Sequence, residues 1–209
     1  MLVKALYQTL YMVSMSALIS SICGMPLGIM LAITNDGSIA QNRTLNAILA
    51  FLVNTTRSVP FVILMVVMIP FTRFVTGSSI GTTAAIVPLS VAAVPFVARV
   101  VETSIREVDK GVIEAAQAMG ASTLQVILKV LIPEALPAII AGITLTAVNL
   151  IGYSAMAGAI GGGGLGHVAI RYGYQGFDMK VLAAIVVILV VLVQGTQLIG
   201  DLVIKKVTH

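Results

Sequence analysis

The segment Glu114-Ala115-Ala116-Gln117-Ala118-Met119-Gly120, with Val130-Leu131-Ile132-Pro133 after it, carries the residue types in this chain best suited to contact with another protein. Between Arg99 and Glu134 lie Arg99, Glu102, Arg106, Glu107, Asp109, Lys110, Glu114, Lys129 and Glu134, while the flanking sequence is almost wholly apolar. Ile105, Val108, Val112, Ala115, Ala116 and Met119 recur at the period of one helical face. Gly120 can take the left-handed backbone that ends a helix. Ser122, with Gln125 three residues on, is a capping-box start for the next one. The spacing predicts two short helices with a corner at Gly120. An amphipathic helix lying on a bilayer would show the same periodicity. Two adjacent alanines offer lipid little apolar area, however, and let a protein surface approach closely.

Elsewhere the reactive side chains stand alone. His167 and His209 are far apart and lack further ligands at metal spacing, so no metal site is expected, and no serine, cysteine or carboxylate pair has a partner for covalent or acid–base work. The chain is therefore not expected to be an enzyme or to hold a cofactor of its own. Gly161, Gly163 and Gly166 formally match a dinucleotide fingerprint, which requires a preceding strand and a following helix. Here they follow a membrane span. Irregular backbone at membrane depth is tolerated where protein or a water-filled cavity surrounds it, so Gly161 and Gly163 are candidates for a gate, with a plain flexible connection as the alternative. Tyr153, Ser154 and Met156, the polar and soft residues of the same span, are candidates for a substrate path. Helix packing through small residues explains Gly152, Ser154 and Gly158 equally well.

These groups sit in a frame set by composition. Hydrophobic residues make up 58% of the 209-residue chain and charged residues 10%, against about 25% charged in soluble domains. Such a chain cannot cover itself with a hydrated surface. It reads as an all-α integral membrane protein, a single domain over residues 1–209 with the lipid bilayer as its solvent. The net charge of +4 comes from basic residues scattered singly between apolar runs, which argues against nucleic acid. Five spans are expected, at about 11–34, 58–72, 81–100, 137–158 and 181–202, with an aqueous loop at about 101–134 between the third and fourth. Residues 11–34 exceed the 7–15 residue apolar core of a cleaved signal, so the first span is expected to stay. The second is short for a ~30 Å core, so Arg57 and Arg73 are expected to snorkel to the interfaces. Thr44–Val53 would form an interfacial helix or extend that span. Cys23 lies in an apolar stretch and has no intrachain partner.

Short loops rich in lysine and arginine face the cytoplasm. Arg43, Arg57, Arg99, Arg106, Lys110, Lys129, Lys205 and Lys206 fall on one side, and Lys4, Arg73, Arg171 and Lys180 on the other. The bias predicts an external N-terminus, with the Glu114 loop and the C-terminus cytoplasmic.

The series Glu114-Ala115-Ala116, Gly120 and Val130-Leu131-Ile132-Pro133 resembles the cytoplasmic signature of permease subunits of bacterial ATP-binding-cassette importers. It departs from the pattern in Val for Ile and Ile for Leu. The segments Arg57-Ser58-Val59-Pro60-Phe61, Met68-Ile69-Pro70-Phe71-Thr72-Arg73, Ala85-Ile86-Val87-Pro88-Leu89 and Gly152-Tyr153-Ser154-Ala155-Met156 resemble the methionine-importing branch of that family. The resemblance implies a multi-pass subunit of the bacterial inner membrane. In it Glu114, Ala115, Ala116 and Gly120 form a coupling helix seated on an ATPase subunit. The implied complex holds two copies of this chain, two ATP-binding ATPase subunits and an external substrate-binding protein, importing an amino acid, methionine in particular. A self-contained secondary transporter or channel would call for intramembrane charge or an inverted repeat, and the sequence displays neither. A scaffold that only recruits an ATPase to the membrane is the third reading.

Overall fold

The computed structural model describes residues 1–207; His209 lies outside them. The first helix, α1 (Leu2–Thr34), buries Ser16, Ser20, Gly24 and Gly28, spaced four apart along one face. This ridge of small residues lies against α5 (Thr82–Arg106). The Ser16 hydroxyl donates to the Ile86 carbonyl at 3.4 Å. A Cβ on Gly28 would stand 2.5 Å from the Ala98 carbonyl oxygen. Helix association inside a bilayer relies on such close backbone approach, since lipid is as apolar as any side chain.

Between these two helices the chain climbs back in three pieces. α2 (Arg43–Ser58) is capped by Asn42, whose side chain accepts from the Leu45 N–H at 3.0 Å. Its start is tied to the end of α1 by Asn46 Nδ2, which donates to the Leu31 carbonyl at 2.8 Å. The helix stops at Val59, held extended at φ −85° and ψ 122°, because Pro60 disfavours helical backbone in the residue before it. α3 (Phe61–Val67) leaves at 102° to α2. After Met68, Pro70 opens α4 (Ile69–Thr76), which ends on the left-handed Gly77. The expected second span over 58–72 is thus not one straight helix. Among the described residues four helices are long and apolar enough to cross a membrane, and the bent α2–α3 pair makes a fifth if it counts as one broken span.

After α5 come two short helices, α6 (Lys110–Ala118) and α7 (Thr123–Val126), then a wide turn over Ile127–Leu131 and the long α8 (Ile132–Ala157). A glycine-rich corner leads to α9 (Gly164–Val168), a second wide turn over Ala169–Tyr174, and α10 (Met179–Val207). The helices overrun the expected limits. α1 begins at Leu2 rather than Tyr11, α5 runs on to Arg106, and α8 begins at Ile132 rather than Pro137. Pro133 sits in the first turn of α8, directly after the wide turn over Ile127–Leu131. The charge at Glu102 does not end α5, because that carboxylate is buried and paired.

Candidate functional site

At one end of the bundle, α6 and α7 meet at the corner foreseen from sequence. Asp109 opens α6, its carboxylate accepting from the Gly111 N–H at 2.6 Å. The helix closes as a Schellman motif: the Gly120 N–H donates to the Gln117 carbonyl and the Ala121 N–H to the Ala116 carbonyl, at 2.9 and 3.1 Å. Gly120 has φ +82°, the left-handed value this motif needs. Ser122 and Gln125 then form the reciprocal capping box of α7.

The packing divides the expected apolar face. Ala116 is buried in a cluster with Ile105, Val126 and Leu131, and the half-buried Val108 and Ile113 pack against it. Val112, Ala115 and Met119 point away from this cluster, with Met119 83% exposed. Glu114 is also exposed and borders a cavity of about 350 Å³ between α6 and the loop after α1, shared with Asp36, Arg106 and Lys110. The Arg43 guanidinium bonded to Asp36 holds its carboxyl below the usual range. One alanine thus anchors the helix, while its neighbour stands on an open apolar stripe with room for a close-fitting surface. The sequence placed both on one face; the structure separates them.

An ion cluster around the buried Glu102 links this end to the membrane helices. Glu102 is 4% exposed and accepts from Arg99, with Arg106 at 3.7 Å on its other oxygen. Arg99 also donates to the Asn54 amide oxygen at 2.6 Å, joining α5 to α2.

Of the path candidates, Tyr153 is the best placed. Its ring stacks on Phe61 at 4.7 Å, the planes 7° apart, so the first residue of α3 rests on α8. The pair borders a cavity of about 250 Å³ walled by α2, α3, α5 and α8. Ser154 is buried, and its hydroxyl donates to the Ile151 carbonyl at 2.7 Å, which is packing. Met156 is exposed and does not line this cavity. Two residues that line it were not among the path candidates. Asn149 passed as an unremarkable residue of α8. Arg57, expected near an interface, lines this cavity with Phe61, Ala92, Phe96 and Asn149, and lines a second one that extends to Glu107. Arg57 and Asn149 are both exposed on the isolated chain. Facing lipid inside a bilayer, they would carry a large desolvation cost. This face is therefore a candidate to line water or a second protein.

Gly161 and Gly163 lie at the opposite end from α6, in a corner with φ +97° and +81°. The Gly81 N–H donates to the Gly161 carbonyl at 3.0 Å. The Gln8 amide oxygen accepts from the Gly164 N–H at 3.1 Å, and the Thr9 hydroxyl from the Leu165 N–H at 2.9 Å. The corner is held by the starts of α1 and α5 and is no loose connection. His167 follows in α9 with no metal-binding cluster around it among the described residues.

Comparison with known proteins places this arrangement. A protein of Vibrio cholerae called a probable D-methionine transport system permease is 52% identical over 209 residues, all of this chain and 93% of its own. One of Bacillus subtilis, called a methionine import system permease, is 48% identical over 96% of this chain and 90% of its own. A chain of a solved methionine ABC transporter in an inward-facing conformation superposes with a TM-score of 0.98 at 46% identity, over 100% of this chain and 96% of that one. An amino acid ABC transporter structure, at 20% identity and a TM-score of 0.78 over 98% of this chain and 93% of that one, shares the fold. Residues 24–209 match the family described as the binding-protein-dependent transport system inner membrane component, and the chain belongs to that family.

Proposed function

We propose that this chain is the membrane-spanning subunit of an ATP-driven methionine importer. Two copies form the pathway, two ATPase subunits bind and hydrolyse the ATP, and an external protein delivers the amino acid. The α6 end faces the cytoplasm and the glycine corner faces outward, a reading the distribution of basic residues supports. Glu114, Ala115 and the Gly120 corner dock on the ATPase, and Tyr153 lines the pathway. The observation that carries this reading is the capped α6–Gly120–α7 corner, fixed from within through Ala116 and open along Val112, Ala115 and Met119. The full-length likeness to methionine permeases supports the choice of substrate.

The test is ATP-dependent uptake of labelled methionine by the complex reconstituted in liposomes with its ATPase and binding protein, competed with a panel of amino acids. Uptake that requires ATP and is displaced by unlabelled methionine is the expected result. Uptake without the ATPase would point to a self-contained carrier, and ATPase association without uptake to a scaffold.

A further inference from the structure

We propose that Arg57 is the carboxylate anchor of a substrate site within the membrane, between the α2–α3 bend, α5 and α8. The inference rests on the importer reading and adds to it a site with a defined chemistry. Arg57 is in the last turn of α2, just before the break at Val59 and Pro60. It borders two cavities. One, of about 250 Å³, extends to Tyr153. The other, of about 270 Å³, runs along α5 past Arg99 and Thr103 to Glu107. Arg57 and Phe96 are the residues the two share, so Arg57 stands between the cavity that reaches Tyr153 and the one that runs towards the α6 end. Phe96 is about ten residues, roughly 15 Å, from the end of α5 at Arg106.

This arginine differs from its neighbours in its partners. Arg43 has Asp36, and Arg99 and Arg106 share Glu102. Among the described residues no carboxylate lies within ion-pair distance of Arg57, and the side chains of Asn149 and Tyr153 make no hydrogen bond. A cation inside a bilayer is costly unless paired or hydrated, and a guanidinium is shaped to grip a carboxylate with two parallel N–H donors. The cavity offers a free amino acid one contact for each of its parts. Arg57 takes the carboxylate, and the Asn149 amide oxygen accepts from the ammonium. Phe61 and Phe96 supply aromatic surface of the kind that favours a thioether sulfur. The site contains no carboxylate to hold the ammonium tightly. Binding is therefore weak, as a pathway that must also release its cargo requires.

The experiment uses the complex of permease and ATPase in nanodiscs, without binding protein. It measures equilibrium binding of labelled methionine and of methioninamide, which lacks the carboxylate. Wild type should bind methionine more tightly than the amide. Arg57→Met should weaken methionine binding by about tenfold to a hundredfold, the worth of a charge-assisted hydrogen bond, leave binding of the cationic amide no weaker and so erase the preference. Arg57→Lys should restore part of it, while Arg73→Met, at the far end of α4, should change nothing. Unchanged methionine binding in Arg57→Met, or no carboxylate preference in wild type, overturns the proposal. Loss of the two-copy assembly in Arg57→Met would also overturn it, because the anion would then belong to the second copy. The same amino acid–amide comparison is run across the panel. If another amino acid is carried instead, the choice of methionine fails, while the Arg57 site is judged by that substrate.

Discussion

At the scale of single residues, the backbone of Gly120 and the carboxylate of Glu102 carry the most weight. Valine at Gly120 would place a β-branched side chain at φ +82°, a conformation it strongly disfavours. The strain costs on the order of 1–3 kcal/mol, and it falls on a corner whose Cβ position is open space. The effect is then conformational rather than steric. Gly120→Val should insert and dimerise normally but lose ATPase association or transport per ATP hydrolysed. Ala115→Glu should act alike through bulk on the open stripe, whereas Ala116→Glu should misfold the loop, since that position is buried. Pull-down of the ATPase at matched expression distinguishes these cases, and normal docking by Gly120→Val and Ala115→Glu would return α6 to the role of a surface helix. Glu102→Ala leaves Arg99, whose side chain is 28% exposed, without its carboxylate. It should lower stability by about 1–3 kcal/mol, read as an earlier thermal unfolding transition in detergent. Glu102→Gln should recover part of that loss by keeping an acceptor.

Among the elements, the α1–α5 pair is the rigid part and α2–α4 the bent part. α1 carries Ser16, Ser20, Gly24 and Gly28 against α5, so enlarging any of them pushes two backbones apart. Gly28→Val is the sharpest case, since even a Cβ there meets the Ala98 carbonyl at 2.5 Å. Overpacking of this kind costs about 1–3 kcal/mol. The variant should aggregate in size-exclusion chromatography under conditions where wild type is monodisperse. Full stability of Gly28→Val would mean the two helices separate easily and the close approach is incidental. Thr9→Val removes the acceptor for the Leu165 N–H and should loosen the glycine corner. Faster amide hydrogen exchange across 161–166, with α6 unaffected, is the expected signature.

For the whole molecule the decisive quantity is which end faces which compartment. The α1–α5 contacts and the corner hydrogen bonds put Gln8, Gly81 and Gly161 at one end, and the cluster of Ile105, Ala116 and Leu131 at the other. Basic residues are in excess at the second, so that end should be cytoplasmic. Single cysteines at Asp109 and Ser79, in a Cys23→Ser background, should react with a membrane-impermeant maleimide from opposite sides. Labelling of the Asp109→Cys variant from outside intact cells would reverse the orientation.

The sequence by itself determined the membrane class, the α6–Gly120–α7 corner and its caps, because these depend on composition and on residues within a few positions of one another. Gly120, Ser122 and Gln125 hold the conformation their types dictate wherever the loop is placed. Tertiary structure decided which alanine faces inward, since Ala116 is buried only by contact with side chains from α5 and α8. It also decided the surroundings of Arg57. Linear spacing put that residue at the edge of a straight span, and the turn at Val59–Pro60, 102° between α2 and α3, brings Phe61 round to share a cavity with it, α5 and α8. The direction a chain takes after a break is set by what the next helix packs on, here Phe61 against Tyr153. That contact joins residues from distant parts of the chain, and neither residue type announces it locally.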